Sequence, residues 1–293
     1  MSPVLAHWSA VWPVLAIYLA VAGAHLAGTL RGGLGGAAGR RALISEAALF
    51  QGGLLLALLA IVSPLRYWSG IYIWVHALQD LVLAIVAPGL IVLGAPWSAL
   101  ARSAGRRQIG QRTLDRPAAE ARQPWWLRWP LATVVAFNVI WLGWHLPALF
   151  DKVPASAAAA ALEYVLYLGA GILFWLQLIG SRPWTPAARP MRRIALLVGT
   201  VAADTILGMV LVFGSGVFYR YYGNSWHHVM TVVDDQQLAG AVLWMGVLPP
   251  MISAAVAVLV RWLNDEESAD LSAGIDRLLT QRSSAWPSRP RFR

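Results

Sequence analysis

Three polar side chains that could bind a metal ion or carry a proton lie within five residues of one another: His76, Gln79 and Asp80. Residues spaced three and four apart share one face of a helix, so a helix here places all three in a single stripe. Imidazoles and carboxylates bind divalent metals, relay protons, or act as general acids and bases. The stretch from Ile71 to Trp97 is otherwise apolar and long enough to cross a bilayer, where ionisable groups are costly and indicate a function.

Further residues that could join such a site lie near the ends of other apolar stretches. One group, Asn138, Trp141 and His145, shares one helical face, and Glu163 and Tyr167 are a second pair at helical spacing. The other candidates are His227, His228, Met230, Asp234, Asp235, Gln236 and Gln237. The chain has no cysteine, so a metal site would use histidine, methionine and carboxylate ligands. Such ligands suit copper or zinc better than magnesium, and the same groups could form a proton relay.

Most of these candidates also have a structural interpretation. Asp234 and Asp235 could cap the helix that follows them, because carboxylates interact favourably with a helix N-terminus. His145 could bond to the backbone, and Glu163 could extend toward the membrane surface. Asp80, at about half depth in its helix, would need a partner on its own helix or on another.

Two polar residues within the predicted spans, His25 and Asp204, fall outside the predicted site. His25 is interpreted as a packed polar residue. Asp204 could pair with His25 or Gln51, or act in a proton path. The adjacent pair His227 and His228 could equally be a solvated part of a loop.

The composition predicts a polytopic membrane protein. Hydrophobic residues make up 58% of the 293 positions and charged residues only 13%, against about 25% in soluble domains. A soluble chain of this length could not bury so much apolar surface. The net charge of +9 would suggest a nucleic-acid partner in a soluble protein, but here it is assigned to loops. No basic region precedes the first apolar stretch, so we expect no cleavable signal peptide.

The apolar stretches predict an all-α bundle of about seven transmembrane helices. The predicted spans are Trp12–Leu30, Ala42–Val62, Ile71–Gly94, Pro130–Phe150, Ala157–Ile179, Ile194–Phe218 and Gln236–Leu263. We expect a membrane domain over residues 1–263 and a cytoplasmic tail over 264–293, with a short amphipathic helix and a disordered basic end. The stretches are continuous rather than alternating, which argues against a β-barrel.

Basic residues predict the orientation of this bundle. Of the 23 lysines and arginines, 20 fall in the first, third and fifth connections and the C-terminal end, and three fall on the other side. By the positive-inside rule the N-terminus is then outside and the C-terminus cytoplasmic. His76, Asp80, His145, Glu163 and the Asp234–Asp235 pair would all lie in or above the outer half of the membrane, forming a polar site open to the extracytoplasmic side.

Four segments resemble the CtaG-type cytochrome c oxidase assembly factors, multi-helix membrane proteins of bacteria. The segments are VHALQDLVLAIVAPGLIVLGAPW (75–97), NVIWLGWHLPALFD (138–151), ALEYVLYLGAGILFW (161–175) and DDQQLAGAVLWMGVLPP (234–250). The resemblance covers most of the chain, from about Ile71 to Glu267. It implies a seven-helix protein of the bacterial inner membrane that handles copper on the extracytoplasmic side, and it carries over His76, Gln79, His145, Glu163, Asp234, Asp235 and Gln236 as family positions.

Two positions depart from the family pattern. The family commonly reads His-x-x-Gln-His in the third span, where this chain has Asp80, and Glu-His in the fifth, where it has Tyr164. Two imidazoles with carboxylates still suit a divalent metal, but they suit the soft ion Cu(I) less well.

We therefore expect a non-enzymatic assembly factor for a copper-containing cytochrome c oxidase, with oxidase subunits and membrane lipids as partners and no nucleic acid. The expected metal ligands are His76, His145, Asp80, Glu163, Asp234 and Asp235, with copper as the metal. The alternative is a polytopic transporter or proton-coupled permease that uses the intramembrane carboxylates, although no inverted repeat is visible. A membrane enzyme would need a nucleophile constellation, which the sequence does not show.

Overall fold

The computed structural model describes residues 7–9, 11–32, 37–105, 124–224 and 229–284, and in these residues the chain is helical without a β-strand. The α-helices are α1 (Trp12–Arg31), α2 (Ala37–Val62), α3 (Pro64–Ser69), α4 (Ile73–Leu81), α5 (Ala87–Leu93), α6 (Trp97–Ser103), α7 (Pro130–Trp144), α8 (Pro147–Phe150), α9 (Lys152–Ala155), α10 (Ala157–Leu178), α11 (Pro190–Phe213) and α12 (Val232–Ser284). The basic connection between α6 and α7 lies mostly outside the described residues.

The prediction of an all-helical chain with about seven candidate membrane spans is confirmed. Six helical spans in the described residues are long and apolar enough to cross a bilayer, and a bent pair of helices brings the number to seven. The span formed by α4 and α5 is 78% buried, against 39% or less for the other five straight spans. The polar stripe predicted from the sequence therefore lies on the central helix of the bundle. The direction of the bundle across the membrane stays a prediction.

The central span is not a continuous α-helix as the sequence predicted. A π-helical turn, Val82–Val86, separates α4 from α5 and begins two residues after Asp80. Pro88 explains this turn, because its ring conflicts with the carbonyl of the residue four positions earlier, which is Ala84. The carbonyl of Ile85 is used outside the helix and accepts a hydrogen bond of 2.8 Å from the indole of Trp175 in α10.

The π turn also requires a glycine on the facing helix. A Cβ atom on Gly171 of α10 would overlap the Ala84 carbonyl oxygen and lie 2.7 Å from Cγ of Pro88. We expect Gly171→Ala to lower the free energy of unfolding by about 1–3 kcal/mol, the usual cost of overpacking. Gly169→Ala, two residues away where a Cβ meets nothing within 4 Å, should be neutral or stabilising. Thermal unfolding in detergent measures both, and equal midpoints would contradict this account of the π turn.

The fourth predicted span, Pro130–Phe150, is broken rather than straight. Helix α7 ends at Trp144, and α8 begins at Pro147 with a bend of 70° between the two parts. Leu146 adopts an extended conformation, as the residue before a proline usually does. The break places His145 at the C-terminal end of α7.

The last helix does not end where the membrane domain was expected to end. Helix α12 continues without interruption to Ser284, 53 residues in all, through the position of Asn264. At 1.5 Å per residue it is about 80 Å long, well beyond a hydrocarbon core of about 30 Å. The start of the predicted tail is thus a continuation of the last span, and residues 285–293 lie outside the described part.

Candidate metal centre

Four of the predicted ligands converge at the centre of the bundle: His76 and Asp80 on α4, His145 at the end of α7, and Glu163 on α10. Nε2 of His76 lies 3.6 Å from Oδ1 of Asp80 and 3.5 Å from Oε2 of Glu163. Nε2 of His145 lies 3.8 Å from Oδ2 of Asp80. Asp80 therefore stands between the two imidazoles, with one carboxylate oxygen toward each. All four residues are buried, with at most 4% of their surface exposed.

Hydrogen bonds on the far side of each ring determine which nitrogen faces the cluster. Nδ1 of His145 lies 2.8 Å from the carbonyl of Trp141, which can only accept, so this nitrogen carries the proton. The hydroxyl of Tyr222 donates to the carbonyl of Ser69 at 2.9 Å and so accepts from Nδ1 of His76 at 2.7 Å. Burial raises the pKa of Tyr222, which keeps its hydroxyl protonated. With Nδ1 carrying a proton, each ring in its neutral form presents an Nε2 lone pair to the cluster.

Most acceptor atoms of the cluster have no hydrogen-bond partner in the described structure. The exception is Oε2 of Glu163, which lies at a hydrogen-bond distance of 3.5 Å from Nε2 of His76. Both oxygens of Asp80, Oε1 of Glu163 and Nε2 of His145 are buried without a hydrogen-bond partner among the described residues. Acceptor groups buried side by side repel one another and lose their hydration, which is costly unless a cation or protons lie between them. The cluster thus lacks the hydrogen-bond donors that most of its acceptor atoms need, and a cation or protons could take their place.

The spacing of the donor atoms fits a divalent metal ion. His76, Asp80 and Glu163 each offer one ligand atom within 4.8 Å of the others. Ligands about 2.1 Å from a tetrahedral ion lie about 3.4 Å apart, close to the 3.5 Å and 3.6 Å found here. Nε2 of His145 lies outside this group of three, 3.8 Å from the second oxygen of Asp80.

Three aromatic residues cover the cluster. The Phe150 ring of α8 lies 4.2 Å from the ring of His76 and 4.1 Å from that of Tyr219, measured between centroids. Tyr219 donates to the carbonyl of His145 at 3.0 Å, and Tyr222 closes the His76 side. The Asp151 carboxylate accepts from two backbone N–H groups of residues 220–221, so the tyrosine segment is attached to the bent α8–α9 unit.

The two aspartates at the start of α12 have other partners. Asp235, with no exposed surface, accepts hydrogen bonds from the backbone N–H groups of Ile73 at 2.9 Å and Trp74 at 3.0 Å. Asp235 therefore caps the N-terminus of α4, the helix that carries two of the candidate ligands. Asp234 is exposed and bonds to Thr231 in its own first turn. The structure does not bring these two carboxylates into the cluster.

Other residues named from the sequence have structural partners. Gln79 donates to the carbonyl of Ala60 and to the hydroxyl of Tyr164. Gln236 connects to the backbone of Gly216 and Phe218. Both amides therefore fix neighbouring segments around the cluster.

Asp204 pairs with neither of the residues suggested for it. Its carboxylate accepts from the indole of Trp141 at 3.2 Å, whereas Nδ1 of His25 lies 3.3 Å from Nε2 of Gln51. Asn138 similarly bonds to Thr200 of α11. The polar face predicted for α7 thus joins this helix to α11. His227 and His228 lie outside the described residues.

Sequence reasoning missed the residues that orient and cover the imidazoles. Tyr222 and Tyr219 lie in a connection predicted to be external, and only the fold brings them over the cluster. A tyrosine pair three residues apart, next to Arg220, gave no distinguishing signal. Tyr167, noted for its spacing from Glu163, has a buried hydroxyl without a partner among the described residues.

Removing the Tyr222 hydroxyl tests the role given to it. Tyr222→Phe deprives Nδ1 of His76 of its acceptor, and loss of such an outer partner weakens metal affinity by about 10- to 100-fold. Tyr221→Phe, the exposed neighbour, should leave the affinity unchanged. Competition with a chelator of known affinity measures both. Equal affinities for the two variants would contradict the proposed orientation of His76.

Comparison with known proteins identifies the family. The family described as cytochrome c oxidase caa3 assembly factor (Caa3_CtaG) matches residues 23–265. An uncharacterized protein of Mycobacterium leprae is 24% identical over 220 residues, and one of Mycobacterium bovis is 25% identical over 212. Each match covers 70% of this chain but 32% of the relative, so the chain spans about a third of the length of these relatives. No solved structure matches the chain significantly. The match over most of the chain shows that this protein belongs to the caa3 cytochrome c oxidase assembly factor family.

Proposed function

We propose that the protein handles copper for the assembly of a cytochrome c oxidase, holding one ion at His76, His145, Asp80 and Glu163. The observation that carries this proposal is the buried cluster of two imidazoles and two carboxylates. Both oxygens of Asp80, Oε1 of Glu163 and Nε2 of His145 have no hydrogen-bond partner among the described residues. Family membership supplies the connection to oxidase assembly. The ion is cargo in this proposal, and the protein acts without catalysing a reaction.

The donor set favours a divalent ion. Imidazole and carboxylate ligands suit Cu(II) and Zn(II), and Cu(II) binds most tightly among the divalent first-row metals. The two positions that depart from the family pattern now have distinct roles. Asp80 faces both imidazoles, whereas Tyr164 accepts a hydrogen bond from Gln79. Replacement of an imidazole by Asp80 therefore changes the cluster itself, and we propose that it favours Cu(II) over Cu(I).

The cover of the cluster supports controlled release rather than free exchange. Phe150, Tyr219 and Tyr222 close the site, so an ion can leave only if this cover moves. If the bundle has the predicted orientation, the cover faces the extracytoplasmic side, and delivery occurs there. The copper would then reach an oxidase subunit without entering the cytoplasm.

A deletion strain tests this function. Complementation with the wild-type gene should restore oxidase activity and the copper content of the purified oxidase, whereas the His76→Ala/His145→Ala variant should restore neither. Excess copper in the growth medium should partly rescue the double variant, since the variant would lack only the capacity to hold the ion. Full activity with the double variant would overturn the copper role.

The same strain separates the transporter alternative. A proton-coupled permease would change copper uptake or export by whole cells in proportion to its expression. The assembly role predicts unchanged total cell copper with a loss confined to the oxidase. Altered cell copper together with a normally loaded oxidase would favour the permease.

A further inference from the structure

A polar cavity lies at the opposite end of the bundle from the aromatic cover. It has a volume of about 420 Å³. It lies between the N-terminal part of α2, the C-terminal ends of α5 and α10 and the beginning of α11, against the side of α12. Its charged lining residues are Glu46, Arg182, Arg193, Arg261 and Asp265. None of these residues belongs to the metal cluster.

Two of the three guanidinium groups in this cavity are not engaged by a carboxylate. Arg182 forms an ion pair with Glu46. Arg193 and Arg261 instead donate to the carbonyls of residues 178 and 179 at the end of α10, each through one nitrogen. An arginine has five N–H donors, so both retain donors for an anion. Asp265 lies one turn after Arg261 and forms no ion pair within 4 Å in the described structure.

The beginning of α11 adds a second source of positive potential. Pro190 and Arg193, both in its first turn, line the cavity, and no side chain caps this N-terminus. A helix of 24 residues has an appreciable partial positive charge at its first turn, where unpaired N–H groups favour phosphates. The N-terminus of α11 and the two guanidinium groups thus all favour the binding of an anion in the cavity.

The surroundings of the cavity are those of a membrane interface. Trp184 and Trp262 line it together with apolar residues of the helical spans, Leu93 and Val258. Tryptophan is enriched at the level of lipid headgroups, and the arginine-rich connections fall on this side of the bundle. An anion with an apolar tail matches both parts of this lining.

We propose that the cavity binds the phosphate of an anionic phospholipid headgroup, with Arg193, Arg261 and the N-terminus of α11 as the recognising groups. The lipid would join α10, α11 and α12 at the inner end of the bundle. Because the cavity shares no residue with the metal cluster, this proposal stands independently of the copper function.

Native mass spectrometry of the detergent-purified full chain tests the site. Titration with phosphatidylglycerol should give at least about fivefold tighter binding than with phosphatidylcholine, since each basic group near an anionic headgroup contributes about that factor. Arg261→Gln should weaken phosphatidylglycerol binding about fivefold. The matched control Arg192→Gln removes an exposed arginine in the same helical turn as Arg193 that does not line the cavity, and should have no effect.

Asp265→Asn provides a test that cannot be confused with misfolding, because it should tighten phosphatidylglycerol binding by removing a carboxylate from the cavity. Equal binding of the two lipids, or equal losses in Arg261→Gln and Arg192→Gln, would overturn the proposal. Displacement of the lipid by millimolar inorganic phosphate would overturn it too, by showing that the cavity takes a soluble anion.

Discussion

Asp80→Asn is expected to lower the affinity of the protein for copper by more than about a hundredfold. Loss of a residue that hydrogen-bonds to a metal ligand already lowers metal affinity by about 10- to 100-fold, and Asp80 is itself a proposed ligand. Its two oxygens lie 3.6 Å and 3.8 Å from the Nε2 atoms of His76 and His145. The amide keeps the volume of the side chain but offers one neutral oxygen. Isothermal titration or chelator competition measures the change.

The same substitution should have the opposite effect on the metal-free protein. Asp80 is fully buried, and its oxygens have no hydrogen-bond partner among the described residues. Replacement of a buried carboxylate that receives no hydrogen bond by a neutral amide is neutral or stabilising. We therefore expect the thermal midpoint of metal-free Asp80→Asn to equal or exceed that of the wild type. Asp234→Asn, an exposed carboxylate, is the control for both measurements. An unchanged copper affinity in Asp80→Asn would show that the metal lies elsewhere.

Asp235→Ala is expected to lower the free energy of unfolding by about 3 kcal/mol or more. Its carboxylate accepts two charge-assisted hydrogen bonds, from the buried N–H group of Ile73 and the partly buried N–H group of Trp74, and each such bond contributes about 1.5–3 kcal/mol. Without the carboxylate both N–H groups lose this acceptor. The loss should also displace the start of α4 and weaken copper binding, although Asp235 does not reach the cluster.

Asp234→Ala is the matched control for this prediction. Asp234 is the preceding residue, is exposed, and bonds only within its own helical turn to Thr231. Its loss should cost about 1 kcal/mol, the typical value for an N-terminal cap. Thermal unfolding of the two purified variants under identical detergent conditions makes the comparison. Equal destabilisation by both substitutions would contradict the structural role given to Asp235.

The helical class and the approximate span positions could be predicted because they follow from local composition. Apolar stretches of about 20 residues form membrane helices whatever their neighbours are. The π turn and the break after Trp144 depend on Pro88 and Pro147, whose effects are local in principle. The apolar pattern alone predicts a continuous span at each position, because it takes no account of these prolines.

The candidate site was predictable only in part. The spacing of His76 and Asp80 put both on one face, and the predicted topology put His145 and Glu163 at a similar depth. The role of Asp235 depends on long-range contacts, because its carboxylate bonds to residues about 160 positions away in the chain. Likewise, nothing local to Tyr222 shows that it orients His76. Such contacts arise from the packing of whole helices and cannot be inferred from local spacing.

Metal analysis tests whether a copper ion is held between the two imidazoles and the carboxylates. The most direct measurement is the metal content of the detergent-purified protein after loading with copper and removal of loosely bound ions, for the wild type and for His76→Ala/His145→Ala. We expect about one copper per wild-type chain, held by His76, His145, Asp80 and Glu163, and none in the double variant. No copper in the wild type, or equal copper in both proteins, would contradict it.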